Sequence, residues 1–303
     1  MSNPRPTARA RELGLALRRA ADAAGMSNRK LAHRLGWSDS RVSRIYTGTR
    51  GISVPDLVAL LAVCGIKGPA KQNLIKLASH AHEPGWWQDY DDRLPVELQT
   101  LIDYEDAAIA ITNFSTLTVP GLLQVEDYVR ALMRASVTVP ANEVGTRVEA
   151  RIRRREIFDQ LHPPKLRFFI DEYVLTRTGP GRDVMSDQVH HLLRMATRPH
   201  VEIRVIPDGL GFHPGRQAFH LMEFTELHPV VHVEVDTSVL FLERRPTTTA
   251  FRRIADALAR VALTEGQSMD WIAGLARELG TPRREHDEKA GHDEPGLAEE
   301  FFQ

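Results

Sequence analysis

Basic side chains dominate the segment from residue 23 to residue 50, in which Asp39 is the only carboxylate. Arg34, Arg41, Arg44 and Arg50 all lie there. A guanidinium group can donate paired hydrogen bonds to the edge of a guanine base or bind a phosphate oxygen. A solvated surface usually mixes both signs of charge, so a surface with so little acid favours a polyanionic partner. The alternative is an ordinary solvated basic face.

Two short helical patterns must position these arginines. They occupy residues 27–48, SNRKLAHRLGWSDSRVSRIYTG. Ser27 and Ser38 are each placed to cap a helix by accepting a backbone N–H, and Gly36 is placed to end the first helix. The turn between the patterns spans about four residues, the length of a helix-turn-helix connection.

The second of these helices turns polar side chains outward. Val42 and Ile45 face inward by their spacing, so Ser40, Arg41 and Arg44 face outward. An α-helix fits the major groove of B-DNA, where base edges can be distinguished. The free N–H groups at the start of the preceding helix can bind a phosphate oxygen. The sequence therefore predicts double-stranded DNA as the partner of this segment.

Three more helices are predicted around this pair, over residues 12–24, from Ser53 onward and over residues 70–80. Each is too short to be stable alone, so their apolar stripes must pack together. Cys64 lies on the apolar side of its helix and is predicted to be in the core. The N-terminal part is therefore expected to be a compact all-α unit of five helices.

The segment SNRKLAHRLGWSDSRVSRIYTGTRGISVPDLVALLAVCGI resembles the five-helix DNA-binding domain of XRE-type, lambda-repressor-like regulators. The resemblance implies phosphate contact at Asn28, base reading at Asp39, Ser40 and Arg41, and a flanking contact at Arg44. The full predicted DNA-binding set is Asn28, Arg29, Ser38, Asp39, Ser40, Arg41, Ser43, Arg44 and Arg50. Asp39 departs from the glutamine common in that family. It could accept a hydrogen bond from cytosine N4, or it could simply favour the positive N-terminus of its helix.

The charge changes sign along the chain. Residues 1–82 carry 14 Lys and Arg against 4 Asp and Glu, and the remaining residues carry 25 against 36. The change falls at HEPGWWQDYDDRLP, whose Trp86 and Trp87 are expected to dock the linker onto one of the domains. We predict a helix-turn-helix domain over 1–82, a Trp-containing linker over 83–98, an α+β domain over 99–280 and a disordered acidic tail over 281–303.

The C-terminal part mixes strand and helix patterns. The segments KLRFFIDEY, HVEIRVIPDG, QAFHLMEF and VVHVEVDTSVLFLER are typical of strands, and the last is expected to bend or pair with itself near Asp236. The segment NEVGTRVEARIRRREIFDQL is typical of one long charged helix. The predicted fold is thus an all-α helix-turn-helix domain followed by a larger α+β domain, a mixed sheet with packed helices.

The segments FSTLTVPGLLQVEDYVRALM, RIRRREIF and FFIDEYVLTR resemble the domain that follows the helix-turn-helix in a large actinobacterial group of antitoxin-like regulators. The resemblance runs from about residue 86 to residue 279 and implies a sensing or partner-binding domain, with a small co-encoded partner protein. Arg147, Arg151 and Arg154, with Arg155 beside them, form a basic stripe on the charged helix. Arg147, Arg151 and Arg154 are predicted to bind a partner protein, and a solvated face remains the alternative.

Nothing in the sequence predicts catalytic residues, a cofactor or a metal. The patterns G-x-S-x-G, H-E-x-x-H and the P-loop are absent. Four histidines gather without a spacing at which one strand or helix supplies two metal ligands: His213, His220, His228 and His232. Asp171 and Glu172 could do acid–base work, but Arg167 and Arg177 nearby favour an ion-paired turn. We therefore expect a protein that is not an enzyme.

These observations predict a sequence-specific, DNA-binding transcriptional regulator. We expect a homodimer, because one helix-turn-helix reads few base pairs, and a C-terminal domain that dimerises and senses a ligand or a small partner. The alternative is an antitoxin-like protein that chiefly binds and neutralises the partner, with DNA binding as autoregulation. With one cysteine and no apolar run near the ~20 residues of a membrane helix, the expected location is the cytoplasm, at the nucleoid.

Overall fold

The structure, a computed structural model, describes residues 6–81, 86–235 and 237–280. Two parts follow each other along the chain: a bundle of helices, and a six-stranded mixed sheet with helices packed on it. This confirms the predicted fold class. The predicted acidic tail and Asp236 lie outside the described residues. Within the part of the chain that is described, no helix is long and apolar enough to cross a bilayer.

The N-terminal bundle consists of five helices. They are α1 (Ala8–Ala23), α2 (Asn28–Leu35), α3 (Asp39–Tyr46), α4 (Val54–Val63) and α5 (Gly68–His80). Ser27, Ser38 and Ser53 each cap a helix by accepting the backbone N–H of the third residue after them. Helix α1 begins before the predicted Glu12, because the Thr7 hydroxyl accepts the Ala10 N–H and starts the helix there.

The bundle has a core of its own, and α1 lies very close to α3 in it. The core contains Leu13, Leu17, Leu31, Val42, Ile45, Leu57, Leu60, Leu61 and, as predicted, Cys64. A Cβ atom on Gly14 would lie 2.3 Å from the carbonyl oxygen of Tyr46, and one on Gly48 would lie 2.7 Å from the carbonyl carbon of Ala10. Helix α1 therefore packs backbone to backbone against the C-terminal end of α3.

The C-terminal sheet has the strand order β3-β2-β1-β4-β5-β6. The strands are β1 (Ala110–Ser115), β2 (Lys165–Asp171), β3 (Val201–Ile206), β4 (Phe219–Glu223), β5 (Val230–Val235) and β6 (Ser238–Leu242). The first three run parallel, and β4, β5 and β6 are antiparallel to their neighbours. The sequence predicts β2, β3 and β4 and the hairpin of β5 with β6 around Asp236, but it does not predict β1.

Helices cover both faces of the sheet. They are α6 (Val96–Ala107), α7 (Glu126–Ala135), α8 (Val144–Arg153), α9 (Glu172–Thr176), α10 (Arg182–Ala196), α11 (Arg245–Val261) and α12 (Glu265–Gly280). The side chains of α6, α10 and α12 share one core with Ile111, Phe168 and Ile203, whereas α11 packs on the opposite face against Phe114 and Phe169. The sequence predicts one long charged helix here, and that prediction is too long. Helix α8 ends at Arg153, and a 3-10 segment, Arg154–Asp159, follows it.

The two tryptophans lie in a 3-10 segment, Trp86–Arg93. Trp87 is 5% exposed and packs with Tyr90 against Ile102 of α6 and Ala150 of α8. The expectation that these tryptophans dock the linker is confirmed, and the domain they contact is the C-terminal one.

Candidate nucleic-acid interface

The two helices of the predicted motif are joined by a tight turn. Gly36 adopts a left-handed conformation, with φ of +65°, and ends α2, and Ser38 accepts the Arg41 N–H and begins α3. The connection is three residues long, Gly36 to Ser38, close to the predicted length. Because Leu31, Val42 and Ile45 are at most 2% exposed, they fix the two helices against the bundle.

Eight of the nine predicted DNA-binding residues are exposed on α2, on α3 or beside them. The exposed members are Asn28, Arg29, Ser38, Asp39, Ser40, Ser43, Arg44 and Arg50. Asn28 and Arg29 form the first turn of α2, and Asp39 and Ser40 form the first turn of α3. Whether each of them contacts DNA stays a prediction.

Arg41 differs from the rest of the set because it is held by the protein. Its Nη2 lies 2.5 Å from Oδ2 of Asp56, and its guanidinium lies 4.1 Å from the centre of the Trp37 ring. The Ser53 hydroxyl donates to the same Asp56 oxygen at 2.8 Å. A base that took a hydrogen bond from Nη2 of Arg41 would compete with Asp56. Sequence reasoning missed Trp37 and Asp56, because nothing in their spacing shows that α4 begins beside α3.

Arg44 is placed to reach outward. Its side chain is exposed, and its Nε donates to the Ser40 carbonyl at 3.3 Å, which orients the guanidinium along α3. The hydroxyls of Thr47 and Thr49 and the N–H of Arg50 all bind the Arg44 carbonyl. The Arg44 carbonyl at the end of α3 therefore has hydrogen-bond donors, and Arg44 projects from a well-ordered helix terminus.

Helix α1 connects the bundle to the C-terminal domain. Glu12 is only 4% exposed, and its Oε1 accepts the backbone N–H groups of Thr225 and Glu226 at 3.0 and 3.1 Å. At the start of α1, the Ala8 N–H donates to Oδ2 of Asp103 at 2.7 Å. The helix that packs against α3 is thus also bound to the loop after β4 and to α6.

The buried Asp103 predicts a pH dependence of stability. Burial raises its pKa to about 6, and its side chain is 14% exposed. A carboxyl whose pKa is raised on folding stabilises the fold at low pH, and that contribution is lost as the pH rises from about 4 to about 6. We expect the parent to lose roughly 2 to 3 kcal/mol of unfolding free energy relative to Asp103→Asn over this range, because Asn keeps an acceptor without the charge.

The measurement is urea unfolding at a series of pH values, with Asp22→Asn on the exposed end of α1 as the control. The control should keep the pH profile of the parent. A parent-minus-variant difference that does not change between pH 4 and pH 7 would show that Asp103 ionises in the folded chain as it does in the unfolded chain.

Two family models match the chain, one over the helical bundle and one over the part that contains the sheet. Residues 12–74 match the family described as helix-turn-helix domain. Residues 98–274, more than half of the chain, match the family described as domain of unknown function (DUF5753). The chain belongs to the DUF5753 family. No curated protein and no solved structure matches it.

The helix-turn-helix match spans α2 and α3 and every predicted DNA-binding residue. It supports a DNA-binding regulator and favours this class over an enzyme. The further resemblances inferred from the sequence, to XRE-type regulators and to antitoxin-like actinobacterial proteins, stay predictions.

The predicted basic stripe of the DUF5753 domain is not one exposed surface. Arg154 is 5% exposed and forms a bidentate ion pair with Glu105, at 2.8 and 2.6 Å, so it is not the solvent-facing residue that the predicted stripe requires. That Arg147 and Arg151 bind a partner protein stays a prediction. Arg151 is half-buried and donates to Gln124, and burial followed by the Arg154 charge lowers its pKa to about 10. Arg147 pairs with Glu143 at 2.7 Å. The spacing of the arginines in the sequence could not show that they differ in exposure, because α8 ends and a 3-10 segment begins at Arg154.

The predicted ion-paired turn after β2 is also wrong in its partners. Asp171 accepts the Tyr173 N–H and lies 3.4 Å from Nε2 of His213, and Glu172 accepts the Asp208 N–H. None of these three contacts involves the expected arginines: Arg167 donates to Thr112, and Arg177 lies over the Tyr173 ring. Two polar contacts to backbone N–H groups give these carboxylates a structural role.

Two of the four clustered histidines meet across the sheet. His220 and His232 are directly opposite each other in β4 and β5, with ring centres 5.4 Å apart. Burial is the largest cause that lowers the pKa of both, to about 4 for His232. Neutral imidazoles suit metal binding, but among the described residues no third ligand joins them in a group that could hold a metal ion.

Proposed function

We propose that this chain is a sequence-specific regulator that binds double-stranded DNA with α3 in the major groove. The observation that carries the proposal is the outer face of α3, where Ser40, Ser43 and Arg44 are exposed on a helix anchored by Val42 and Ile45. Such a helix presents donors to base edges at a fixed height and angle.

The start of α2 supplies the phosphate contacts in this proposal. Asn28 and Arg29 are exposed in its first turn, where backbone N–H groups point outward and the helix dipole favours an anion. Ser27 occupies the Lys30 N–H, and the remaining free donors stay available. Arg50 extends the same basic surface beyond α3.

Base reading is assigned to Arg44, with Ser40 and Ser43, before Arg41. The Asp56 carboxylate and the Trp37 ring already hold Arg41, so a base contact made through Nη2 would first have to break this partly exposed pair. In this proposal Arg41 positions the turn between α2 and α3. It places a positive charge near the DNA but does not itself read a base.

Arg44→Ala is expected to weaken binding to a specific duplex by about 1 to 3 kcal/mol, or roughly 5- to 150-fold. The duplex is obtained by selecting from a random library with the full chain, and affinity is measured by fluorescence anisotropy. On a random duplex the loss should be smaller, since only a phosphate contact is removed there.

Arg134→Ala, an exposed arginine of α7, is the matched control and should bind both duplexes as the parent does. If Arg44→Ala binds both duplexes with parental affinity, α3 does not face DNA and the proposal fails.

We further propose that the chain binds DNA as a homodimer whose C-terminal domain supplies the dimer contact and senses a ligand. The support is geometric, because a single recognition helix covers few base pairs and two-fold pairing doubles the site. Glu12 and Asp103 offer a path for sensing, since they bind α1 to the C-terminal domain. The mass of the complex with the selected duplex, measured by light scattering, should correspond to two chains per duplex. A mass that corresponds to one chain per duplex would contradict the proposed dimer.

A further inference from the structure

A cavity of about 590 Å³ opens in the C-terminal domain between α7, α8 and the 3-10 segment Arg154–Asp159. Its apolar floor includes Val148, Phe158 and Met195, which are 3%, 3% and 4% exposed. Cavities of a few hundred Å³ with an apolar floor and a few polar groups are the usual sites of small organic ligands.

The carboxylates in the cavity wall are all engaged by neighbouring side chains. The contacts are Glu126 with Arg130 at 2.6 Å, Glu156 with Arg153 at 3.5 Å, Asp159 with Arg198 at 2.7 Å and Glu149 with the Tyr90 hydroxyl at 2.8 Å. Arg155 also lines the cavity, and it forms no ion pair with any residue that the structure describes. The charge of Asp159 acts on Arg155, but Asp159 is itself paired with Arg198, so the Arg155 guanidinium remains open to a bound anion.

Two more arginines increase the positive potential around Arg155. Burial, and then the charges of Arg194 and Arg198, lower the pKa of Arg155. His191 lies near all three: it is 5% exposed, and its Nε2 has no hydrogen-bond partner in the described chain. Burial and the same three charges lower the pKa of His191 to about 4. A bound anion would relieve this repulsion.

We propose that this cavity binds a small organic anion, whose apolar part contacts Val148, Phe158 and Met195 and whose carboxylate pairs with the Arg155 guanidinium. This proposal specifies the class of ligand for the sensing role proposed above. Only the regulatory meaning of the binding rests on that proposed function. Binding itself requires no DNA, so it can be tested separately.

Octanoate is the probe and 1-octanol its neutral counterpart, each titrated into the full chain by calorimetry. Octanoate should bind with one site per chain and at least tenfold more tightly than octanol. Equal affinity of the two, or no octanoate binding, would overturn the proposal, whatever the DNA-binding result.

Three variants separate charge from shape. Arg155→Gln should weaken octanoate binding at least tenfold and leave octanol unchanged, whereas Arg134→Gln, outside the cavity, should leave both unchanged. Gly145→Leu should weaken both, because Gly145 lines the cavity and has open space where its side chain would begin. Parental octanoate affinity in Arg155→Gln would overturn the assignment.

His191 gives a readout that does not depend on heat of binding. A bound carboxylate near the three arginines should raise the pKa of His191. The pKa is measured from the NMR shift of the His191 ring proton during a pH titration. An unchanged His191 titration at saturating octanoate would place the ligand elsewhere and would also overturn the proposal.

Discussion

Replacing Arg154 with Met is expected to lower the free energy of unfolding by about 3 to 5 kcal/mol. The side chains of Arg154 and Glu105 are each 3% exposed, and two hydrogen bonds join them. Removing the guanidinium leaves the Glu105 carboxylate buried without its partner, and a buried charge without a partner costs far more than the pair itself contributes.

Urea unfolding followed by circular dichroism measures this loss. The double variant Arg154→Met, Glu105→Leu should recover most of it, because both charges are then gone from the core. The matched control is Arg147→Met in the neighbouring α8, which breaks a half-exposed pair with Glu143 and should cost less than about 1 kcal/mol. A loss in Arg154→Met no larger than in this control would show that water reaches Glu105.

The DNA-binding half was predictable because its signals are local. Ser27, Ser38 and Ser53 cap helices within three residues of themselves, and Gly36 ends α2 by its own backbone conformation. The apolar spacing of Val42 and Ile45 then decides which side of α3 faces outward. Arg41 is the exception, since its ion pair with Asp56 joins two helices and no local pattern records it.

The C-terminal domain was harder to predict because its determinants are distant in sequence. Strand β1 was missed because it is buried on both faces and contains Thr112 and Asn113, so it shows neither alternation nor a continuous apolar run. Arg154 was read as exposed because its partner Glu105 is 49 residues away. Buried ion pairs of this kind mimic a charged surface when only the spacing is considered.

The second large effect is expected from Gly14→Ala, although alanine is the better helix former. A Cβ atom at this position would lie 2.3 Å from the Tyr46 carbonyl oxygen and 2.8 Å from that of Ile45. Both atoms belong to the backbone of α3 and cannot rotate away, so α1 and α3 must separate. We expect a loss of about 3 kcal/mol in unfolding free energy, at the upper end for overpacking, and a corresponding loss of DNA binding.

Gly274→Ala in α12 makes the same substitution in a helix where the new atom meets only the end of the Arg277 side chain, at 4.0 Å. This variant should be unchanged or more stable by up to about 1 kcal/mol, because alanine restricts the unfolded backbone. The two alanines should therefore move the unfolding midpoint in opposite directions. If both stabilise the chain, α1 does not press on α3, and the structure would no longer explain how a helix as short as α3 is held at a fixed angle for DNA.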